Sequence, residues 1–132
     1  MVDIGIPHEV RSKIEQNCFL TAEDMVFSSI RKRPRFSNKG TFGKLLCITG
    51  SLNFPGAAAL SALSAMESGT GITTVATTEK VMMMIAARIP EATFLPLPEN
   101  PDGTISAEAK EKILPFLENV DAVLIGCGLG RG

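Results

Sequence analysis

The sequence predicts an α/β fold in which helices cover both faces of a mostly parallel sheet. Three observations lead to this prediction. From residue 44 onwards, short apolar runs alternate with helix-like segments, glycines and prolines separate them, and the first and last runs are almost uninterrupted. Near-continuous apolar runs are typical of strands buried on both faces, and strands that alternate with helices form parallel βαβ units.

The predicted elements of this region follow the order β-α-β-α-β-α-β. Strands are predicted at residues 44–49, 72–77, 92–97 and 120–125. Helices are predicted at residues 56–68 and 79–87 and after Ser106 to about residue 118, with Thr78 and Ser106 as N-caps. The helix that starts at Gly56 should end before Gly69, because glycine commonly terminates helices.

Residues 1–38 are predicted to form an N-terminal linker with one helix. Thr21 can cap that helix, which should run to about Ile30, and Asp24 stands in its first turn. The basic segment that follows contains Pro34 and is predicted to be a loop.

Composition excludes several classes of partner. The chain has 132 residues, 45% of them hydrophobic, which suits one domain with a packed core. Its 13 basic and 14 acidic residues nearly cancel, so neither a nucleic acid nor an anionic membrane is predicted as a partner. Neither a signal peptide nor an apolar run long enough to span a membrane is visible.

Cys18, Cys47 and Cys127 are far apart in the sequence and form no C-x-x-C pair, which argues against a zinc site or a disulfide framework. Because Cys47 and Cys127 lie in or beside apolar runs, they are predicted to be buried free thiols. Free thiols suit a reducing cytoplasm.

Two loops that contain glycine follow predicted strands, at residues 50–56 and 126–130. In parallel sheets, ligands bind beyond the carboxyl ends of the strands. The candidate ligand-binding residues are therefore Asn53, Gly56, Ala57, Ala58, Gly126, Gly128 and Gly130.

An alternative for these residues remains open. Small residues also let a helix pack tightly on a sheet, and glycines also form sharp turns. The second loop lacks the third glycine of the dinucleotide-binding fingerprint, since Arg131 stands at that position, and it is not followed by the Gly-Lys-Ser/Thr of a P-loop.

Longer segments resemble one known family. These are KGTFGKLLCITGS at residues 39–51, PGAAALSALSA at 55–65, SGTGITTV at 68–75, IPEA at 89–92 and DAVLIGCGLGR at 121–131. In this order they are similar to the ADP/ATP-dependent NAD(P)H-hydrate dehydratases, which have a ribokinase-like, three-layer α/β/α fold and are related to carbohydrate kinases. The chain departs from the family pattern at Asn38, where the family usually has His, and at Cys127, where it usually has Pro.

The resemblance implies that residues 39–132 are the first half of a truncated dehydratase domain. A lyase of this family uses ATP or ADP with Mg²⁺ to phosphorylate the hydroxyl of NAD(P)H hydrate, and loss of phosphate restores the cofactor. The candidate residues of both loops would then contact the hydrated cofactor. The family's catalytic base lies in a Gly-Thr-Gly-Asp segment that has no counterpart here, so we expect the base beyond Gly132 and no activity from this chain alone.

The resemblance also bears on partners. Residues 3–7 (DIGIP) resemble the end of the hydrate epimerase domain that is fused to some of these enzymes. A fourth strand without further neighbours would leave apolar surface uncovered, so we expect a homo-oligomer. Two other functions stay open: a fragment of a ribokinase-like kinase for a sugar or vitamin precursor, and a non-catalytic binding module.

Overall fold

The computed structural model describes residues 5–13, 20–30 and 32–130 of the chain. The chain divides into two compact units, Met1–Arg35 and Phe36–Gly132. Cys18, Arg131 and residues 3–4 of the epimerase-like segment lie outside the described residues.

The described residues of the first unit form two short helices, α1 (His8–Arg11) and α2 (Glu23–Ser29). The predicted cap at Thr21 is wrong. Helix α2 starts later than predicted, so Ala22 occupies the N-cap position, and no side chain caps the helix. A capping side chain must stand immediately before the first helical residue, and Thr21 is one position too early.

The second unit has the predicted alternation of strands and helices. Its elements are β1 (Lys44–Ile48), α3 (Pro55–Glu67), β2 (Ile72–Thr78), α4 (Glu79–Ile85), β3 (Thr93–Leu97), α5 (Ala109–Leu117) and β4 (Ala122–Ile125), with 3₁₀ turns at Lys39–Phe42 and Ala86–Arg88. Asn38 accepts a hydrogen bond from the Gly40 amide and so caps the first of these turns. The residue that departs from the family pattern therefore has a local structural role.

The strands form one parallel sheet in the order β3-β2-β1-β4. Leu46 of β1 pairs with Thr74 of β2 on one side and with Val123 of β4 on the other. At the outer edge, the Thr74 and Thr93 hydroxyls hydrogen-bond to each other at 2.7 Å. The predicted parallel α/β fold is confirmed.

Helices cover the sheet on both faces. On one face, alanines of α3 pack with Val75 of β2 and with Val81 and Ile85 of α4. On the other face, Leu46 and Ile48 pack with the apolar side of α5. The second unit therefore has the three layers α/β/α, and the small alanine side chains of α3 let that helix lie close to the sheet.

The predicted caps of α4 and α5 form no capping hydrogen bonds. Thr78 precedes α4, but its hydroxyl does not cap the helix. Helix α5 starts at Ala109, later than predicted, and the Ser106 hydroxyl instead bonds the Glu108 carboxylate at 2.7 Å. The intervening residues form a turn, which removes Ser106 from the cap position.

Strand β4 lies at the edge of the sheet, and all four of its residues are exposed. Ile125 is 69% exposed although it belongs to an apolar strand. In the part of the chain that the structure describes, no helix has both the length and the apolar character that crossing a membrane requires.

Candidate functional site

The predicted ligand-binding loops meet at a single point of the sheet. From β1 the chain adds β2 and then β3 on one side, whereas β4 is placed on the other side of β1. The order of strands therefore reverses between β1 and β4, which creates a topological switch point. In open α/β sheets, ligands bind in the crevice at such a point, beyond the carboxyl ends of the strands. The loops at residues 49–54 and 126–130 flank this crevice.

The first loop turns sharply where β1 ends. Gly50 has a φ of 82°, and a Cβ at this position would lie 2.8 Å from the Ala58 methyl carbon. Only glycine fits here, because the left-handed conformation and the close approach of α3 both disfavour a side chain. The turn directs residues 51–54 across the carboxyl end of β1 and into α3.

Hydroxyl groups of the first loop hold the second loop in place. The Thr49 hydroxyl donates to the Cys127 carbonyl oxygen at 2.7 Å, and the Gly50 amide donates to the same oxygen at 3.0 Å. The Ser51 hydroxyl donates to the Gly128 carbonyl oxygen at 2.8 Å. The backbone of the two loops is thus joined across the switch point.

The second loop is built almost entirely in left-handed backbone conformations. The φ angles of Gly126, Cys127, Gly128 and Gly130 are 112°, 63°, 72° and 87°. A Cβ on Gly128 would lie 2.7 Å from the Cβ atoms of both Phe54 and Ala57, so this glycine is packed directly on the start of α3. A Cβ on Gly130 would meet the Thr104 methyl group at 2.7 Å.

A third loop supports the other two. The Leu52 amide donates to the Gly103 carbonyl oxygen at 3.0 Å, and a Cβ on Gly103 would lie 2.4 Å from the Cβ of Leu52. Asp102 accepts bonds from the Thr104 hydroxyl and amide, and these bonds hold the pKa of the Asp102 carboxyl below its usual value. This loop therefore has a well-defined turn that braces the crevice from the side of β3.

The predicted residues of the first loop and of the start of α3 differ in their exposure. Asn53 and Gly56 are exposed, and nothing lies within 4 Å of a Cβ placed on Gly56, so both are open to a ligand. Ala58 is fully buried in the core beneath Gly50, so a ligand cannot reach its side chain. Ala57 is half-buried, and its amide donates to the Phe54 carbonyl oxygen at 3.2 Å.

The start of α3 therefore presents fewer free amides than the sequence suggests. Pro55 occupies the first helical turn and has no N–H to donate. The Ala57 amide donates to Phe54, whereas the Gly56 amide has no acceptor among the described residues. Gly56 is therefore the residue of this turn whose amide is available to a ligand. For Ala57 and Ala58, the packing interpretation of the small residues is the one that the contacts support.

The prediction that Cys127 is buried is wrong, whereas Cys47 is a buried free thiol as predicted. Cys127 follows an edge strand rather than a central one, so its side chain is exposed. Its positive φ is also a conformation that proline cannot adopt, since the proline ring holds φ near −65°. The loop conformation of this chain is therefore incompatible with the proline that the family usually has at this position.

The two crevice loops carry no carboxylate, imidazole or amine side chain. Among the described residues, no group of three or more His, Cys, Asp or Glu side chains is arranged to hold a metal ion. The two crevice loops therefore supply no charged side chain to a Mg²⁺ ion, and they offer a ligand backbone amides, the Asn53 carboxamide and the Cys127 thiol.

Sequence reasoning missed several residues of the site. Thr49 and Ser51 hold the second loop, and Phe54, which is 52% exposed, lies with its Cβ and its carbonyl oxygen beside Gly128. Gly103 and Thr104 support the loops from a third segment. The sequence feature that could have identified Thr49 and Ser51 is the pair of hydroxyl residues on either side of Gly50, directly after a buried strand.

A groove of about 670 Å³ lies beside the crevice, between α3 and β4. Its lining is mostly apolar and includes Leu45, Leu60, Val123 and Leu124. The groove continues the exposed surface of the edge strand and ends at Cys127.

The three-layer fold and the two loops at the switch point define a doubly wound α/β domain of ribokinase-like type. A solved ribokinase-like superfamily protein from Enterococcus faecalis shares this fold with a TM-score of 0.69 at 29% identity, over 89% of this chain and 40% of that one. The profile of the NAD(P)H-hydrate dehydratases matches residues 45–132, and the chain belongs to that family.

The chain is also similar to two named enzymes. The bifunctional NAD(P)H-hydrate repair enzyme Nnr of Moorella thermoacetica is 33% identical over 99% of this chain, which spans 25% of the length of that enzyme. The ADP/ATP-dependent NAD(P)H-hydrate dehydratase of Bacillus subtilis, co-crystallised with ATP/Mg²⁺, has a TM-score of 0.58 at 28% identity over 79% of this chain and 44% of that one.

Proposed function

We propose that this chain supplies the substrate-binding crevice of an ADP/ATP-dependent NAD(P)H-hydrate dehydratase. The observation that carries the proposal is the meeting of the two small-residue loops at the topological switch point between β1 and β4. Membership of the family supplies the substrate, hydrated NADH or NADPH.

The exposed residues of the crevice suit a polar dinucleotide. Asn53 offers a carboxamide that both donates and accepts hydrogen bonds, and Gly56 offers a free amide with open space in front of it. Gly126 lets a ligand approach the backbone of the second loop closely, because nothing lies within 4 Å of a Cβ placed on it. Gly128 and Gly130 are packed against the other two loops, so we propose that they contact the ligand through their backbone groups. Phe54 adds an aromatic face on which a planar ring of the substrate can stack.

The reaction proposed is phosphorylation of the substrate's hydroxyl by ATP or ADP, followed by loss of phosphate. The nucleotide supplies the phosphoryl group, and the transfer depends on positioning and charge stabilisation. The residues of this crevice bind and orient the hydrated cofactor; we assign them neither the base nor the Mg²⁺. The bifunctional name of the Moorella thermoacetica relative supports a second, fused activity, which we propose is the epimerase. The ATP/Mg²⁺ complex of the Bacillus subtilis enzyme supports ATP as the donor.

We place the protein in the cytoplasm as part of the same proposal. Its proposed substrate is a damaged form of a soluble redox cofactor, and the free thiols of Cys47 and Cys127 suit a reducing compartment.

Binding of hydrated NADPH, followed by calorimetry, tests this proposal. We expect saturable binding to the 132-residue chain, weakened about three- to tenfold by Asn53→Ala through loss of one or two hydrogen bonds. Asn119→Ala is the matched control, because Asn119 is also exposed but precedes β4, at the amino ends of the strands, whereas the crevice lies at their carboxyl ends. Absence of binding, or equal losses in both variants, would contradict the proposal.

Turnover is a separate measurement. With ATP or ADP, Mg²⁺ and hydrated NADH, we expect these 132 residues to show no repair above background, because their crevice loops contain no general base. Repair by this chain alone would show that it contains a catalytic group that we have not assigned.

A further inference from the structure

We propose that Thr49 and Ser51 are positioning residues that turn two amides of the second loop, those of Gly128 and Leu129, towards a phosphate oxygen. The inference rests on the proposed function, because that function assigns the loop to the substrate.

Both hydroxyl groups are removed from solvent and are used by the loop. Thr49 is fully buried and Ser51 is 2% exposed. Their bonds of 2.7 and 2.8 Å reach the carbonyl oxygens of two successive residues, Cys127 and Gly128. With the Gly50 amide, the Cys127 oxygen has two donors. The positions of both carbonyl groups are therefore determined by β1 and the residues that follow it.

The orientation of two amides follows from these carbonyls. A peptide group is planar, and in its trans form the N–H points opposite to the C=O. Both peptide bonds are trans. Since the Cys127 and Gly128 carbonyls point towards Thr49 and Ser51, the amides of Gly128 and Leu129 point away from the end of β1. Neither amide has an acceptor among the described residues.

Successive backbone amides with left-handed conformations between them form concave sites that bind anionic oxygen. Neither of the two loops carries a carboxylate that would repel an anion. The Asp102 carboxylate of the third loop accepts hydrogen bonds from the Thr104 hydroxyl and amide. The proposed reaction offers phosphate oxygens from two sources, the diphosphate of the hydrated dinucleotide and the terminal phosphate of the nucleotide donor.

The same sheet contains a buried threonine, Thr73, whose hydroxyl does not bond to the second loop, and this residue provides a control. The Thr73 hydroxyl is buried and has no partner in the described structure, and Thr73 lies at the opposite end of the strands. Thr49→Val and Thr73→Val remove the same atom from equally buried positions, but only the first removes a bond to the loop. Thr49→Ser keeps the hydroxyl and should rescue the Val variant.

The first test needs no ligand and uses amide NMR of the full chain. We expect Thr49→Val and Ser51→Ala to shift or broaden the Gly128 and Leu129 amide signals, and Thr49→Ser and Thr73→Val to leave them in place. If Thr49→Val does not fold, Ser51→Ala decides, since it removes one oxygen and adds no bulk. Unchanged loop signals would overturn the inference whether or not the chain binds substrate.

The second test titrates hydrated NADPH in one arm and ATP in the other. Perturbation of the Gly128 and Leu129 amides by either ligand, with dissociation constants raised about five- to tenfold in Thr49→Val and Ser51→Ala, supports the inference and identifies the source of the phosphate. Binding of hydrated NADPH that is unaffected by these variants overturns the inference and leaves the proposed function standing. If neither ligand binds, the proposed function fails and the anion site fails with it.

Discussion

Gly128 lies directly against Ala57: a Cβ at position 128 would be 2.7 Å from the methyl carbon of Ala57. This contact joins the loop after β4 to the first turn of α3. It also explains why both positions need small residues, because a larger side chain at either one would separate the loop from the helix.

Gly128→Ala should therefore lower the free energy of unfolding by about 2–4 kcal/mol. Part of this cost comes from the steric overlap of the new methyl group with Ala57 and Phe54, and the rest from holding alanine in a left-handed conformation. Urea unfolding followed by circular dichroism measures this change. Gly56→Ala is the control for stability, because Gly56 has open space around it and lies in a helix, and we expect an effect within about 1 kcal/mol. Equal effects of the two substitutions would show that the loop does not pack on α3 as described.

Cys127 is expected to tolerate glycine better than proline. Its φ of 63° is unfavourable for a residue with a Cβ, so Cys127→Gly should release strain and raise stability by up to about 1 kcal/mol. Cys127→Pro cannot adopt this φ and should lower the melting temperature. Cys127→Ala separates loss of the thiol from the backbone effect and should match the parent chain. A proline variant as stable as the parent would exclude the left-handed conformation at this position.

The exposed edge strand predicts self-association of the 132-residue chain. Unpaired strand edges with apolar side chains pair with other chains, and a lysine on the edge prevents this. Ile125→Lys should shift the sedimentation profile towards the monomer. Met83→Lys removes a side chain of nearly equal exposure, 68% against 69%, from α4 and should not change the profile. A parent chain that is monomeric at high concentration would contradict the prediction.

The two described cysteines should differ sharply in reactivity. Burial raises the pKa of the Cys47 thiol, so the folded chain holds that proton more tightly than the unfolded chain does. This contribution to stability is complete below the pKa of the unfolded thiol and is lost as the pH rises through the raised folded pKa.

With iodoacetamide at mildly alkaline pH, a Cys18→Ser chain should gain one adduct rapidly, at Cys127, and a second only as the chain unfolds. Mass spectrometry identifies the sites, and denaturing urea should make both thiols reactive. Rapid labelling of Cys47 in the folded chain would show that the core near β1 opens readily.

Local patterns identified the elements of the second unit because each is marked by a property of its own residues. The apolar run around Leu46 and the β-branched run around Val75 define strands wherever they pair, and Gly69 follows the end of α3. Caps were predicted less well, since Thr21 and Ser106 lie beside helices whose first residue depends on the preceding turn. The exposure of Cys127 was missed because burial depends on the neighbours of a strand, which its own sequence does not specify.

The sequence by itself determined the parallel α/β class, the order of the elements, the two glycine loops and, through its ordered segments, the family. It did so because hydrophobic period, glycine placement and motif order are properties of residues close together in the chain. Only the tertiary structure decided that β4 pairs with β1 rather than with β3, and this pairing creates the switch point and brings Ser51 to Gly128. Strand order depends on contacts between residues far apart in the chain, so no local pattern could show which glycines would meet which hydroxyls.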